Sequence, residues 1–313
     1  MPTLNKPRIA VSLGDINGVG VEIALKAHKE ISQFVSPVYC INTTLLKQAA
    51  TLLKVEIPND FITLDAGSYV EIEPGVVSAQ SGTFSYDSFS QAIELAKDEK
   101  VDAIVTLPIH KEAWSLAGIH YKGHTDMLRD VFKQDAIMML GCEALYVALF
   151  TEHIPLHAVA SSVTLQRLSQ FLADFEKEVH AEKIAVLGLN PHAGDNGVLG
   201  HEEEIITEAI NTLNEALGRE VFFGPVVPDI AFTPHFRKQF TYFVAMYHDQ
   251  GLGPLKALYF DESINVSLNL PIIRTSVDHG TAFDIAYKNQ AKTLSYINAV
   301  QAAVTLSGRK NKN

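Results

Sequence analysis

Short apolar runs alternate along the chain with longer segments in which apolar residues recur every three or four positions. Residues 9–14 (IAVSLG) begin the series as a buried strand, and residues 19–31 follow with the spacing of an amphipathic helix. Similar patterns predict strands at 38–41, 101–107, 137–140, 145–150, 184–189, 243–246 and 264–268, and helices at 45–53, 85–97, 165–179, 202–217 and 295–306. Ser85 is the expected N-cap of its helix. This alternation is typical of βαβ units, so we expect an α/β fold with a mainly parallel sheet covered by helices.

Composition and net charge indicate a globular protein that does not bind nucleic acid. The chain has 313 residues, of which 47% are hydrophobic and 19% charged, which suffices for one large or two ordinary globular domains. Its formal net charge of -11 argues against a nucleic-acid partner. A few basic residues in one cleft can nevertheless hold a small anionic substrate.

Cysteine usage and hydropathy indicate a soluble cytoplasmic protein. Cys40 and Cys142 lie in apolar runs, which favours buried thiols in a reducing compartment over a disulfide. The N-terminal residues lack the apolar core of a signal peptide. No apolar run approaches the ~20 residues of a membrane helix, so we expect no membrane partner.

Three histidines share one setting, the turn that follows a predicted strand. They are His153 in LFTEHIP, His192 in LGLNPHAG and His248 in VAMYHDQG. The carboxyl ends of strands are where open α/β sheets gather their ligands, and three imidazoles with open positions describe a catalytic metal site. The alternative is three unrelated loop histidines, since the chain has twelve.

A second group of residues is basic and polar. GHTD places His124 and Thr125 at an expected helix start, where backbone N–H groups can hold an anion. Lys256, Asn265 and Arg274 follow in a largely apolar stretch, where Lys and Arg are typical grips for phosphate and carboxylate. The alternative for Lys256 or Arg274 is an ordinary position on the solvent-exposed surface, without a ligand.

Two further sequence segments can each be interpreted either as a binding site or as ordinary local structure. Residues 14–20 (GDINGVG) follow the first strand and form either a phosphate cradle or a tight turn, and they do not fit GxGxxG. Residues 278–286 (DHGTAFDIA) place small residues and two acids at an expected helix start, which is either a binding loop or an N-capped helix.

Together these motifs resemble the 4-hydroxythreonine-4-phosphate dehydrogenase family over residues 9–287. The motifs that carry the likeness, in chain order, are GDINGVGVE, GHTD, TEHIPL, GLNPHAGDNGVLGHEE, PD at 228–229, YHDQGLGPLK and SINVSLNLPIIRTSVDHGTAFDIA. The last also resembles the adenosine-side loop of isocitrate and isopropylmalate dehydrogenases. The resemblance implies their fold, with two α/β/α domains around an active-site cleft, and not a Rossmann fold. Residues 1–130 with 275–313 would form the first domain, and residues 131–274 the second, which carries the metal ligands.

The same resemblance implies roles for individual residues. His153, His192 and His248 match the ligands of one divalent metal ion, Zn²⁺, Mg²⁺ or Co²⁺. His124, Thr125, Lys256, Asn265 and Arg274 match substrate contacts. Gly280 and Asp284 are the implied contacts to NAD or NADP, and the sequence does not distinguish the two cofactors. The chain departs from the family at Ile16 and Val21, where prolines are usual, and at Tyr287, where glycine is common.

The implied reaction is the oxidation of 4-phosphooxy-L-threonine, a small phosphorylated amino acid, followed by decarboxylation to 3-amino-2-oxopropyl phosphate. Asp249 is a candidate general base, and orienting His248 is its alternative role. Three other functions remain open from the sequence: a related dehydrogenase of another phosphorylated hydroxy acid, a metal hydrolase, and a metabolite-binding protein without catalysis. The resemblance also implies a homodimer with shared active sites. As a testable form of this hypothesis, His153 and His248 would reach one metal from different subunits.

Overall fold

The computed structural model describes residues 6–67 and 69–310. Its strands, in chain order, are β1 (Arg8–Ser12), β2 (Ser36–Cys40), β3 (Ile62–Leu64), β4 (Ala103–Thr106), β5 (Ile137–Cys142), β6 (Leu145–Leu149), β7 (Ile184–Leu187), β8 (Phe222–Val226), β9 (Tyr242–Ala245), β10 (Ile264–Leu268) and β11 (Arg274–Val277).

The α-helices complete the alternating order that the sequence predicts. They are α1 (Gly20–Ile31), α2 (Thr43–Leu53), α3 (Ala79–Lys97), α4 (Lys111–Leu116), α5 (His124–Phe132), α6 (Val159–Ser162), α7 (Leu165–Val179), α8 (Glu202–Leu217), α9 (Pro228–Ala231), α10 (Pro234–Arg237), α11 (His248–Tyr259) and α12 (Leu294–Lys310). Within residues 6–67 and 69–310, no helix is long and apolar enough to cross a membrane.

The chain divides into two compact units. The first includes the chain up to Gln134, Ile264–Val266 and the chain from Leu270 onward, and the second includes Asp135–Ser263 and Ser267–Asn269. Arg274, which the sequence analysis placed at the end of the second domain, therefore belongs to the first unit.

In the first unit, strands β3, β2, β1, β4 and β11 are neighbours in that order and run parallel. The strands are short, and those inside the sheet are largely buried, as in β4, where every residue is buried, whereas the edge strand β3 is partly exposed. Phe89 and Trp114 are buried in one apolar cluster with residues of β1 and β4. This packing fixes the carboxyl ends of β1, β4 and β11 along one edge of the sheet.

In the second unit, β5, β6, β9, β7 and β8 are neighbours in that order. Strand β5 is antiparallel to β6, whereas β6, β9, β7 and β8 are mutually parallel. Helix α11 packs on these strands through Leu252 and Leu255, which are buried with Val147 and Phe243. The carboxyl ends of β6, β9 and β7 are thus adjacent.

Two local predictions were wrong. The N-cap of α3 is Ser78, whose side chain accepts a hydrogen bond from Ser81 N, and the predicted cap Ser85 lies buried inside the helix. Ser85 Oγ instead accepts a hydrogen bond from Trp114 Nε1 at 2.7 Å, so packing against α4 explains its position. Both cysteines are free thiols, but only Cys40 is fully buried, and Cys142 is half-buried at the end of β5.

Candidate active site

The three predicted metal-binding histidines follow three neighbouring parallel strands of the second unit. His153 follows β6, His192 follows β7, and His248 begins helix α11 directly after β9. Val147 pairs with Phe243, and Ala185 also pairs with Phe243, so β9 lies between the other two strands. The strand-end setting predicted from the sequence is therefore confirmed for all three histidines.

Two of these histidines are close together within one chain. The ring centroids of His153 and His248 are 5.5 Å apart, with an angle of 43° between the ring planes. Two imidazoles that bind one tetrahedral ion through bonds of about 2.0–2.1 Å place their centroids roughly 5 Å apart, so the pair fits a shared ion. His248 Nδ1 lies 2.7 Å from Asp249 Oδ1, which leaves Nε2 as the ligand atom.

Buried polar residues hold the two turns that carry this pair. Thr151 Oγ1 donates to Met246 O at 2.6 Å and joins the ends of β6 and β9. Gln250 Oε1 accepts from Met246 N at 2.7 Å, and its Nε2 donates to Gly188 O at 2.7 Å, so it ties β9 to the end of β7. A Cβ at Gly251 would lie 2.5 Å from Val147 Cγ1, which explains the glycine in YHDQG. Sequence reasoning missed Gln250, although it lies two residues from a predicted ligand.

His192 lies in an unusual backbone segment. Residues 192–196 all have left-handed φ and ψ angles, and this includes four residues other than glycine. Such backbone costs roughly 1–3 kcal/mol per residue and persists only where the surroundings enforce it. No pattern in the sequence analysis predicted this geometry.

Glu203, on helix α8, binds the residues that lead into this segment. Its Oε1 accepts hydrogen bonds from Leu189 N at 2.9 Å and Asn190 N at 2.7 Å, and its Oε2 accepts from Asn190 Nδ2 at 2.9 Å. A Cβ at Gly194 would lie 2.7 Å from Glu203 Oε2, so the segment closes tightly on this carboxylate. Glu203 is a positioning residue that sequence reasoning missed.

The third histidine does not join the pair within one chain. In the part of the chain that the structure describes, no group of three or more His, Cys, Asp or Glu residues is arranged to hold a metal ion. The pair formed by His153 and His248 is therefore the portion of the predicted ligand set that a single chain assembles.

In the first unit, Arg274 and His124 form a buried polar site. Arg274 begins β11 and is 2% exposed, and its Nη2 and Nε donate to Thr106 Oγ1 at 2.6 and 3.2 Å. Burial lowers the pKa of Arg274 to about 9, so the guanidinium remains charged at neutral pH. Burial, and then the charge of Arg274, lowers the pKa of His124 well below its usual value, so the imidazole is neutral.

Two predicted substrate residues carry buried atoms without a hydrogen-bond partner. They are His124 Nε2 and Asn265 Oδ1, both in the first unit. A buried polar group without a partner costs about 1–3 kcal/mol, so a ligand group that formed a hydrogen bond with either atom would remove this cost. His124 opens helix α5, as predicted, with its ring packed edge-on against Phe89.

The remaining predicted substrate residues lie in different settings. Thr125 is buried in the first turn of α5. Lys256 is half-buried in helix α11 of the second unit, where its Nζ lies 5.3 Å from the centroid of the Phe260 ring.

The predicted cofactor segment is a series of turns. The helix start expected at residues 278–286 is wrong, because these residues form bends and turns after β11. Gly280 and Asp284 are exposed, and a Cβ at Gly280 would meet no atom within 4 Å. The backbone near Gly280 is thus open to an approaching ligand.

The chain is similar over nearly its whole length to proteins of one name. A 4-hydroxythreonine-4-phosphate dehydrogenase of Sulfurimonas denitrificans is 63% identical over 306 residues, which cover 98% of this chain and 100% of the relative. The crystal structure of the enzyme of that name from Klebsiella pneumoniae matches with a TM-score of 0.82 and 33% identity, over 96% of this chain and 98% of that chain.

A more distant structure extends the likeness of the fold. Isocitrate dehydrogenase from Methylococcus capsulatus matches with a TM-score of 0.51 and 14% identity, over 98% of this chain and 89% of that chain. The fold is therefore of the isocitrate dehydrogenase type, as predicted, with mainly parallel strands.

The family of the chain follows from these matches. The profile of the family described as pyridoxal phosphate biosynthetic protein PdxA matches residues 33–303, which is most of the chain. The second unit carries the strand-end histidines, the first unit carries the Arg–His site, and the relatives above are named as dehydrogenases. The chain is therefore an oxidoreductase that belongs to the PdxA family of pyridoxal phosphate biosynthesis.

Proposed function

We propose that the chain oxidises 4-phosphooxy-L-threonine with NAD or NADP. The product, 2-amino-3-oxo-4-phosphooxybutanoate, loses CO₂ to give 3-amino-2-oxopropyl phosphate on the route to pyridoxine 5′-phosphate. The observation that carries this proposal is the pair of unpartnered buried atoms, His124 Nε2 and Asn265 Oδ1, on two residues expected to contact the substrate. The names of the relatives supply the identity of the substrate.

Arg274 and His124 have different roles in binding an anionic substrate. The guanidinium of Arg274 carries the charge, and Thr106 fixes its orientation. The neutral imidazole of His124 adds a hydrogen bond without a second positive charge beside Arg274. Thr125, Asn265 and Lys256 complete the set of substrate contacts, and together they hold the substrate in one orientation for hydride transfer.

The side chains at the ends of β6 and β9 fit a divalent metal ion. His153 and His248 supply two imidazoles at a suitable separation, and His192 is the third proposed ligand. When bound, Zn²⁺, Mg²⁺ or Co²⁺ supplies Lewis acidity that stabilises negative charge on the oxygens of the substrate. Asp249 orients His248 through Nδ1, and we assign it this role in preference to that of general base.

The reaction balances without a further reagent. The substrate alcohol loses a hydride to the nicotinamide and a proton to its surroundings, and NAD(P)⁺ becomes NAD(P)H. The C–C bond to the carboxylate then breaks and CO₂ leaves. The electron pair of that bond remains as an enolate of the new ketone, which takes up one proton, equal to the one that the alcohol released, to give 3-amino-2-oxopropyl phosphate. We place the nucleotide at residues 278–286, where Gly280 and Asp284 are exposed.

We further propose a cytoplasmic homodimer in which His192 reaches the metal site of the second copy. Exposed apolar residues flank the strand-end histidines: Ile154 is 40% exposed, Leu156 70%, Val198 77% and Leu199 45%. Leu258 near the end of α11 and Phe260 just after it are exposed as well, whereas Tyr259 between them packs partly against the core. A patch of this kind marks a protein interface, and a two-fold interface presents it twice.

An assay of NAD(P)H absorbance tests the proposed reaction. Purified protein receives 4-phosphooxy-L-threonine, either nucleotide, and Zn²⁺, Mg²⁺ or Co²⁺, and CO₂ release is followed in parallel. We expect Lys256→Met and Arg274→Met to lose about 2–5 kcal/mol of transition-state binding, or roughly 30- to several-thousand-fold in kcat/KM. Absence of nucleotide reduction with every metal, or kinetics of both variants within about twofold of the parent, contradicts the proposal.

A further inference from the structure

The first glycine motif, residues 14–22 (GDINGVGVE), packs against residues 278–286, the segment proposed to hold the nucleotide. Val19 N donates to Thr281 O at 3.1 Å. A Cβ at Gly18 would lie 2.9 Å from the same oxygen and 3.3 Å from Phe283 Cε1. Glycine is therefore required at position 18 because the two backbones approach closely, which favours a packing role for the motif over a phosphate cradle.

Glu22, the last residue of the motif, binds the backbone just after that segment, at residues 289 and 291. It is 1% exposed. Its Oε1 accepts a hydrogen bond from Ala291 N at 2.8 Å, and its Oε2 accepts one from Asn289 N at 3.2 Å. Lys26 Nζ lies 2.7 Å from Glu22 Oε1 and neutralises the buried carboxylate. Residues 279–291 form neither helix nor strand, so these bonds satisfy backbone groups that regular structure leaves open.

Tyr287 provides a second attachment between the same two segments. Its hydroxyl donates to Ile16 O at 2.7 Å. Burial, and then the charges of Asp15 and Glu22, raises the pKa of Tyr287, so the hydroxyl stays protonated and can donate. Tyr287 has a φ of 59°, a left-handed conformation that suits the glycine common in the family. Two of the three departures from the family pattern, Ile16 and Tyr287, are thus in contact.

We propose that Glu22 and Tyr287 are positioning residues of the nucleotide site. They hold residues 279–291 on the first glycine motif and thereby fix the exposed turn that carries Gly280 and Asp284. Ala282 and Asn289 also have left-handed φ angles of 45° and 60°, so the segment needs external attachments to keep this shape. This inference rests on the proposed nucleotide function of residues 278–286.

Nucleotide binding to the purified full-length chain tests this role without turnover. The dissociation constants of NADH and NADPH are measured by fluorescence for the parent, Tyr287→Phe and Glu22→Gln. Loss of one buried hydrogen bond predicts binding of the preferred nucleotide weaker by on the order of 10-fold. We expect KM for the nucleotide to rise while KM for the phosphorylated substrate stays within about twofold. Hydrogen exchange of residues 279–291 should increase.

Matched controls separate positioning from general stability. Tyr39→Phe removes a buried hydroxyl bonded to His28 in the same unit, and Glu176→Gln neutralises a buried carboxylate in the other unit. We expect both to bind nucleotide like the parent. A purely structural role for Tyr287 would lower the melting temperature but leave the nucleotide affinity of the folded protein unchanged. If Glu22→Gln fails to fold, Tyr287→Phe decides the question alone.

Asp284→Ala distinguishes failure of this inference from failure of the proposed site. If Asp284→Ala weakens nucleotide binding while Tyr287→Phe and Glu22→Gln bind normally, the positioning role is overturned and the site stands. If none of the three variants weakens binding, residues 278–286 do not form the nucleotide site, and both proposals fall. Weaker binding by Tyr287→Phe with unchanged substrate KM supports the positioning role.

Discussion

At the scale of single residues, charge and burial divide the roles of Arg274 and His124. Arg274 is buried, keeps its charge and is oriented by Thr106, whereas His124 is half-buried and neutral. A doubly charged pair in this position would repel itself in a medium of low polarity. The pair therefore presents one cation and one uncharged hydrogen-bonding group to a ligand.

The neutral state of His124 predicts a specific pH dependence of stability. Because the pKa of His124 is lower in the folded protein than its unfolded value near 6.5, the unfolded chain takes up the proton first as the pH falls. Stability is unaffected by this group above the unfolded pKa and decreases below it, by up to about 1.4 kcal/mol per pH unit. Between about pH 7.5 and 5.5, the parent should lose about 1 kcal/mol more unfolding free energy than His124→Gln.

Urea unfolding of both proteins at the two pH values measures this difference. The comparison depends on the change with pH, so a uniform destabilisation of His124→Gln does not affect it. His120→Gln is the control, because His120 is exposed in the same unit and should leave the pH dependence of the parent intact. The same pH dependence for the parent and His124→Gln would show that His124 titrates normally in the folded protein.

At the scale of structural elements, helix α8 acts as a scaffold for the loop that carries His192. Glu203 on α8 receives the backbone N–H groups of residues 189 and 190 and lies against Gly194. Neutralising this carboxylate weakens charge-assisted hydrogen bonds that are worth about 1.5–3 kcal/mol each. The left-handed residues 192–196 should then relax toward ordinary backbone conformations.

Glu203→Gln should therefore loosen the His192 loop without unfolding helix α8. We expect faster hydrogen exchange and faster proteolytic cleavage within residues 189–200, together with weaker metal retention during dialysis. Glu204→Gln is the matched control, because Glu204 is the exposed neighbour on the same helix and its side chain lies 3.2 Å from His201 Nδ1, away from residues 189 and 190. Equal exchange rates in the two variants would show that the loop holds its shape without Glu203.

The helices and strands also show which structural features can be predicted from the spacing of apolar residues. The predicted bounds of α7, α8 and β10 match the structure because these segments have a strong apolar period and clear ends. Helix α11 was not predicted, since HDQGLGPLKALY contains two glycines and an internal proline that disfavour a helix. Close packing of Gly251 on β6 and β9 overrides that preference. The same applies to α3, where Gly82 and several serines conceal the first two turns.

The candidate site was predictable only in part, for a related physical reason. The strand-end positions of His153, His192 and His248 follow from apolar runs, which the sequence displays directly. Gln250 and Glu203 bind backbone atoms of loops that are distant in sequence, and no local pattern reports such bonds. The left-handed conformation at His192 follows closely after residues 189 and 190, which Glu203 binds, and no local pattern predicted it either.

At the scale of the whole molecule, the geometry changes the expected composition of a shared metal site. The sequence analysis expected His153 and His248 to come from different subunits, but their rings are 5.5 Å apart in a single chain. In the described part of the chain, no third ligand completes the pair. We therefore propose that the pair acts in one subunit and that His192 is the ligand that the second copy contributes.

Mixed dimers of inactive variants test this assignment. In a dimer of one His153→Ala chain and one His192→Ala chain, the second chain has an intact pair and the first supplies an intact His192, so one of the two sites is complete. Random mixing in equal amounts makes about half of the dimers mixed, with half of their sites intact, so activity should return to about a quarter of the parent value. Each variant alone should remain inactive.

The decisive comparison is a second mixture, of His153→Ala with His248→Ala. Because these two histidines serve the same site from the same chain, each subunit of the mixed dimer has a damaged pair, and no site is complete. We expect no recovery in this mixture, although differently tagged subunits should show by pull-down that mixed dimers form. Recovery with His248→Ala but not with His192→Ala would place the two close imidazoles in different sites. No recovery in either mixture would mean that each metal site belongs to one chain, and the contribution of the second copy would then be wrong.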